Sequence, residues 1–423
     1  MSFARKLLII AILCIGSLSV SAVDTRHGIL HPSFASLQVE VEGRPWLPAV
    51  IVQDSSDRLV IEFDELASQA RNLRWSVVHC DAQWLPEGLA DIEFTDGLNE
   101  ATVDDYDYSR ATLTHYVHYR ISLPDERVPL KLPGNYLLKV YEEYEPDSAL
   151  VQVRFAVSEG SVWVNAQVSP RTDIDYLESH QQLDIVLDTK GSGISNPYSD
   201  IKTIVTQNSW DGNSVTLTAP SAVRGEVVTY SHLRPLIFDG GNEYRRFETV
   251  STSYPGMGVD RMYHDADGYH ADLYTDIPRG ADGYQYDQTQ HGRFTVREYN
   301  SANSDTEAEY ILTTFTLESP KLDGTDIYIE GELTGRRLHD GSRMNYNPTA
   351  GCYEKTLLLK QGAYDYRYVA VSRKSGKPDM GYTEGNFCDT ANDYTVSVYY
   401  RRPGERFDRL AGIGSAVYIN PRK

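Results

Sequence analysis

The sequence predicts an all-β chain of three consecutive immunoglobulin-like β-sandwich domains after a cleaved signal peptide, and three observations carry that reading. Tyr, at 30 residues, and the β-branched residues favour pleated, half-buried strands. No long window places apolar residues at helical spacing, while Gly, Pro, Asn and Asp interrupt nearly every segment. A length of 423 residues fits three units at roughly 150 residues each, and 41% hydrophobic residues supply enough surface to bury a core in each.

At the start, Arg5 and Lys6 precede the apolar run Leu7 to Leu13, and Ser19-Val20-Ser21-Ala22 offers small residues for cleavage. Residues 1–22 therefore read as a secretory signal peptide. The run falls short of the roughly 20 apolar residues of a membrane span. Leu13 stands before Cys14 where a lipid-attachment signal needs a small residue. Removing Arg5 and Lys6 leaves 38 basic against 60 acidic side chains, a net charge of -22. That balance disfavours nucleic acid as a partner, and a self-repelling surface predicts a monomer when free. An outer-membrane barrel needs evenly spaced strands of about 10 residues with aromatic girdles. The short segments and acidic turns here do not fit one, so the chain is not itself expected to span a membrane.

The first domain is expected over 23–158. Val151, Val153, Phe155 and Val157 alternate with Gln152, Arg154 and Ala156, giving a strand with one apolar face. Tyr136, Leu138 and Val140 form its partner across Glu145-Pro146-Asp147, a hairpin expected to close a sandwich edge. The second domain, 159–319, resumes at Val162-Trp163-Val164, passes Leu183, Ile185, Leu187 and the turn Asn196-Pro197, and ends with the strand of Ile311, Phe315 and Leu317 before Ser319-Pro320. The third, 320–423, takes the strands around Ile327, Thr356, Tyr364 and Thr395.

Several clusters resemble reactive sites and resolve differently on inspection. His79-Cys80-Asp81 has ligand-type residues, but neighbours on a strand face opposite sides and cannot converge on one ion unaided. The plainer reading is a buried thiol, Asp81 bonding its own turn, and Trp84 anchoring a loop. His115 and His118 are separated by an odd spacing and split across the sheet. Asp260, Asp265, Asp267-Gly268 and Asp282-Gly283 lack the flanking helices and terminal Glu of a calcium loop and fit tight turns. Gly412-Ile413-Gly414-Ser415 has the wrong spacing for a nucleophile elbow. No catalytic residue, metal ligand or cofactor is expected. After cleavage three cysteines remain, of which Cys352 and Cys388 share the third domain and can pair, leaving Cys80 over.

Tyr364, Tyr366 and Tyr368 fall on one face of a strand. Exposed, such a row stacks on sugars, as in small starch- or glycogen-binding sandwiches. Otherwise it is a sheet face packed on a neighbouring domain or partner. A secreted carbohydrate-binding β-sandwich protein is the alternative that this row keeps open.

One ordered set of motifs adds a resemblance. His79-Cys80-Asp81-x-x-Trp84, Tyr116-x-x-Tyr119, Gly134-Asn135-Tyr136 and the Arg154-Phe155 strand resemble the first domain of the type IX secretion system plug protein family. The likeness continues through Gln207-Asn208, Asn242-Glu243-Tyr244-Arg245, Gly385-Asn386-Phe387, Tyr399-Tyr400-Arg401 and Asp408-Arg409-Leu410. Trp210 directly after Ser209 departs from the pattern, as do Cys352 and Cys388. The resemblance implies a non-enzymatic periplasmic protein, peripherally associated with the outer membrane. It would dock on the inner mouth of the large translocon barrel and occlude it between rounds of export. The motif residues are then expected to be structural.

Overall fold

The computed structural model describes residues 24–419; the signal peptide expected over 1–22 lies outside them. The chain is nearly all β, as its Tyr-rich, turn-interrupted sequence predicts. In Leu73–Cys80 and Val117–Leu123 every second side chain is buried, the period-2 pattern of a strand packed on one face.

Three hydrophobic cores organise the molecule. The first draws on residues from Phe34 to Val157 and lies between two layers. One is the four-stranded sheet of Phe34–Val41, Leu59–Glu65, Val117–Leu123 and Asp105–Tyr108. The other is half of a ten-stranded sheet containing Leu73–Cys80, Gly134–Glu142 and Ala149–Ser158. That sheet does not stop at the first core. Ala149–Ser158 pairs in parallel with Arg409–Val417 at Ser158 and Leu410, and the sheet runs on through Asp393–Tyr400, Ile201–Gln207 and Ser214–Leu217. This second half, with the sheet of Trp163–Ser169 and His180–Asp188, encloses the second core.

Two sequence expectations change here. The hairpin of Gly134–Glu142 and Ala149–Ser158 is not an edge: Leu73–Cys80 flanks one side, and Gly28–Ile29, Val50–Val52 and Arg409–Val417 share the other. Tyr136, Leu137, Leu138 and Val140 are accordingly all buried, with both faces covered.

The cores also do not follow one another along the chain. The second takes Val162 to Phe238 together with Tyr394 to Ala416, so the C-terminal strands complete it. The third takes Phe247 to Ala370 and is inserted between those halves. Ser319-Pro320, expected to separate domains, is a turn within this third core: Tyr310–Glu318 before it and Thr325–Glu330 after it both bury side chains there. A turn signal reports where a strand ends; which strand it pairs with next is a long-range matter.

Candidate functional site: the seams between the sandwiches

Strands deliver the motif residues to the places where the sandwiches meet. At the end of Leu73–Cys80, the buried His79 sets Nδ1 2.8 Å from Glu87 Oε2 and Nε2 3.3 Å from the Pro133 carbonyl. Its ring meets Tyr136 edge-on at 4.9 Å and Phe407 at 5.6 Å. Asp81 closes its own turn by accepting from the Gln83 and Leu85 amides. Asn135 donates to the Asp81 carbonyl and accepts from the Tyr399 hydroxyl at 2.9 Å. Asp408 completes the seam, with Oδ2 accepting from the Ala82 amide and Lys202 Nζ and Oδ1 from Arg401 Nε. Burial opposes ionisation of Asp408, but these donors hold its carboxyl below the usual range. Trp84, at φ 65°, lies under the Arg154 guanidinium. Motifs over 300 residues apart in sequence thus form one joint between the first and second sandwiches.

A second joint holds the inserted sandwich at its entry and exit. Asn242 donates to the Glu384 carbonyl, and Glu243 Oε1 accepts from the Ala391 amide and the Tyr284 hydroxyl. Arg245 bridges Glu384 and Asp276, and Arg279 also reaches Glu384 at 2.6 Å. Burial alone would raise the Glu384 carboxyl, yet the two guanidinium groups hold it below its ordinary value. Buried charge of this kind is tolerated only when fully paired. Beside it, Gln207 donates to Tyr394, and Asn208 exchanges bonds with Asn392 and Asp393.

The third joint, between the first and third sandwiches, escaped sequence reasoning. Asp64, fully buried, accepts from Lys360 Nζ at 2.6 Å, the Tyr310 hydroxyl at 2.7 Å and His118 Nδ1 at 2.7 Å. Lys360 also lies over the Tyr116 ring at 4.2 Å, and the Tyr116 hydroxyl donates to Ala308. Tyr119, by contrast, stays within the first sandwich, stacked on Phe63 and bonded to Glu65. Burial would lower the His118 pKa, but its bonds to Asp64 and Glu62 raise it to about 9. Glu62, His118 and Asp305 bring ligand-type atoms within 4.8 Å of one another. Arg120 already pairs with Glu62, and an imidazolium opposes a cation, so the group behaves as an ion-pair network. The signal that could have found this joint is a Lys in an otherwise apolar strand end, and that signal is weak alone.

The remaining predicted site residues are corrected. Cys352 and Cys388 form no disulfide. Cys352 opens a strand of the third sandwich and faces Glu354, whereas Cys388 lies where the chain returns to the second sandwich, its amide bonded to the Glu178 carbonyl. Tyr364, Tyr366 and Tyr368 are buried in the third core and present no contact face. Tyr366 and Tyr368 donate to Asp276, and Tyr364 stacks between Phe247 and Phe294. The inserted sandwich has covered the face that the sequence left open.

All three sandwiches contribute walls to a chamber of about 1030 Å³, and Trp84 and Arg154 of the first joint line it. Among the described residues no helix is long and apolar enough to cross a membrane. A solved structure of a hypothetical protein from Parabacteroides merdae shares 38% identity, covering 93% of this chain and 99% of that one, with a TM-score of 0.91. Native alpha-2-macroglobulin from Escherichia coli, spanning domains NIE-MG1, shares 13% identity over 46% of this chain and 96% of that one, at a TM-score of 0.16 too slight to bear on this fold. No curated protein matches. Residues 35–159 match the family model described as the type 9 secretion system plug protein 1st domain. Those residues carry His79, Trp84 and Gly134-Asn135-Tyr136 at the first joint, and the chain that they begin belongs to the type IX secretion system plug protein family.

Proposed function

We propose that the protein is a non-enzymatic periplasmic plug, peripherally associated with the outer membrane. It docks on the inner mouth of the type IX secretion translocon, a large outer-membrane β-barrel, and occludes the channel between rounds of export. Family membership supports a role in this secretion system. The observation that carries the reading further is the ten-stranded sheet passing unbroken from the first sandwich into the second. A body that closes a wide pore must not shear between domains. A shared sheet and paired buried charges at every joint provide that stiffness. On this reading His79, Cys80, Asp81, Trp84, Tyr119, Gly134, Asn135, Tyr136, Asn242, Glu243 and Arg245 fix the geometry of the body and do not touch the partner. The carbohydrate-binding alternative loses its basis with the burial of Tyr364, Tyr366 and Tyr368.

Affinity purification of a tagged chain from gently solubilised envelope tests the proposal. Recovery of a giant barrel protein in near-fixed ratio supports it. Recovery of no barrel protein, or an unaltered permeability barrier in a deletion strain, overturns it.

A further inference from the structure

The chamber between the sandwiches gathers four arginines in a chain that is acidic overall. The whole sequence carries 60 acidic against 40 basic side chains. The chamber, however, is lined by Arg26 and Arg154 from the first sandwich and by Arg336 and Arg337 from the third. Three of these are matched. Arg26 Nε donates to Asp24 at 2.7 Å, Arg154 Nη1 donates to Asp211 at 2.5 Å, and Arg336 lies 3.7 Å from Glu330. Arg337 differs from them: its guanidinium packs against Gly28, and among the described residues no carboxylate forms an ion pair with it, although Asp24 lies near enough for its charge to be felt. The other acidic side chain at the wall, Glu332, accepts from the Phe294 amide at 3.1 Å.

The neighbouring histidine is held neutral at the same wall. His27 Nδ1 accepts the Arg154 amide at 3.2 Å, which requires that nitrogen to be unprotonated. Burial, then Arg154, Arg337 and Arg336, lower the His27 pKa to about 4. No proton on His27 therefore adds to the charge at neutral pH, which leaves Arg337 as the cation of this wall without an ion-pair partner. The remaining wall is largely apolar, with Ile29, Leu47, Leu333, Leu338, Trp84 and Trp210 among its residues. A volume of about 1030 Å³ is at the upper end of the roughly 300–1,000 Å³ typical of small-molecule sites.

We propose that this chamber binds an anionic amphiphile, whose single carboxylate or phosphate head pairs with Arg337 and whose apolar body lies along Ile29, Leu47, Leu333 and Leu338. A guanidinium offers two parallel donors to either head group, and a half-enclosed site strengthens that bond. The apolar wall adds the affinity that a bare anion would lack. Nothing in this inference depends on the secretion reading: a chain that fails to capture a barrel can still bind the amphiphile, and the converse holds.

Equilibrium dialysis of the full mature chain with decanoate, decyl phosphate, decanol and decyltrimethylammonium tests it. Saturable binding of one molecule per chain is expected for either or both anions, and their order separates a fatty-acid-like ligand from a lipid-phosphate-like one. Arg337→Gln should weaken that binding about tenfold or more while Arg337→Lys retains part of it, both variants melting as the parent does. Absence of saturable anion binding, equal binding of decanol, or undiminished binding by Arg337→Gln overturns the proposal. Should Arg337→Gln melt early, the ratio of anion to decanol binding in Arg337→Lys decides: a ratio no lower than the parent's overturns the proposal, and a reduced one sustains it.

Discussion

Gly134 lies so close to the His79 imidazole that a Cβ on Gly134 would stand 2.5 Å from His79 Nε2 and 2.8 Å from the Asp408 carbonyl oxygen. With φ at 142°, a conformation that few side chains adopt, the position admits glycine alone. Gly134→Ala should therefore destabilise the protein by about 3 kcal/mol or more. Gly225→Ala, at φ 61° with nothing within 4 Å of its Cβ, should cost only about 1 kcal/mol. Urea unfolding of both variants measures the difference, and equal losses would show that the contact with His79 is not what confines the site.

Among the described residues, Lys360 is the only full cation bonded to the buried Asp64 besides His118. Lys360→Met strands a carboxylate in the seam and should cost about 3–5 kcal/mol. Adding Asp64→Asn should recover part of that loss. A single-variant cost below about 1 kcal/mol would mean that water reaches the pair.

His118 makes the same seam sensitive to alkali. Its pKa is about 9 in the folded chain against 6.5 when unperturbed. Its contribution is thus complete below about pH 6.5 and is lost as pH rises through about 9, roughly 3 kcal/mol at most. Melting temperatures of the parent and of His118→Gln should converge between pH 6 and pH 10. A gap that is constant across that range would assign His118 a packing role only.

The thiols should be silent in the native state. Burial pushes Cys80 up to about 12 and raises Cys352, and all three cysteines among the described residues are buried. A thiol-reactive chromophore at pH 8 should label almost nothing until guanidinium is added, and then three groups per chain. The intact mass should show no loss of two hydrogens. Labelling of only one group after unfolding would restore the Cys352 to Cys388 bond that the structure lacks.

Local physics was legible from the residues alone. The alternation of Val151, Val153, Phe155 and Val157 specifies a strand, and Asp81 specifies its turn, because both depend on neighbours within a few positions. The partner of each strand was not legible. Nothing near Val151 announces Leu410, and nothing near Ile201 announces Tyr400, so a serial division into three domains was the natural and mistaken reading. The tyrosine row shows the same limit. Tyr364, Tyr366 and Tyr368 do share a face, but whether water or another sheet lies against it depends on residues such as Phe247 and Phe315, far away in sequence. Asp64 and Lys360, separated by 296 positions, form a pair that no local signal could join.

The insertion of the third sandwich into the second also sets an order in time. The first sandwich draws its core from residues that end at Val157 and can close as soon as they are available. The second must hold Ile201–Gln207 open until Asp393–Tyr400 arrives, after every residue of the third. During that interval an unpaired strand edge stays open to solvent, the kind of edge that recruits foreign strands. The completed second sandwich is in this sense a receipt for the full-length chain: one truncated anywhere between Ser158 and Asp393 can fold its first unit yet cannot seal its middle one.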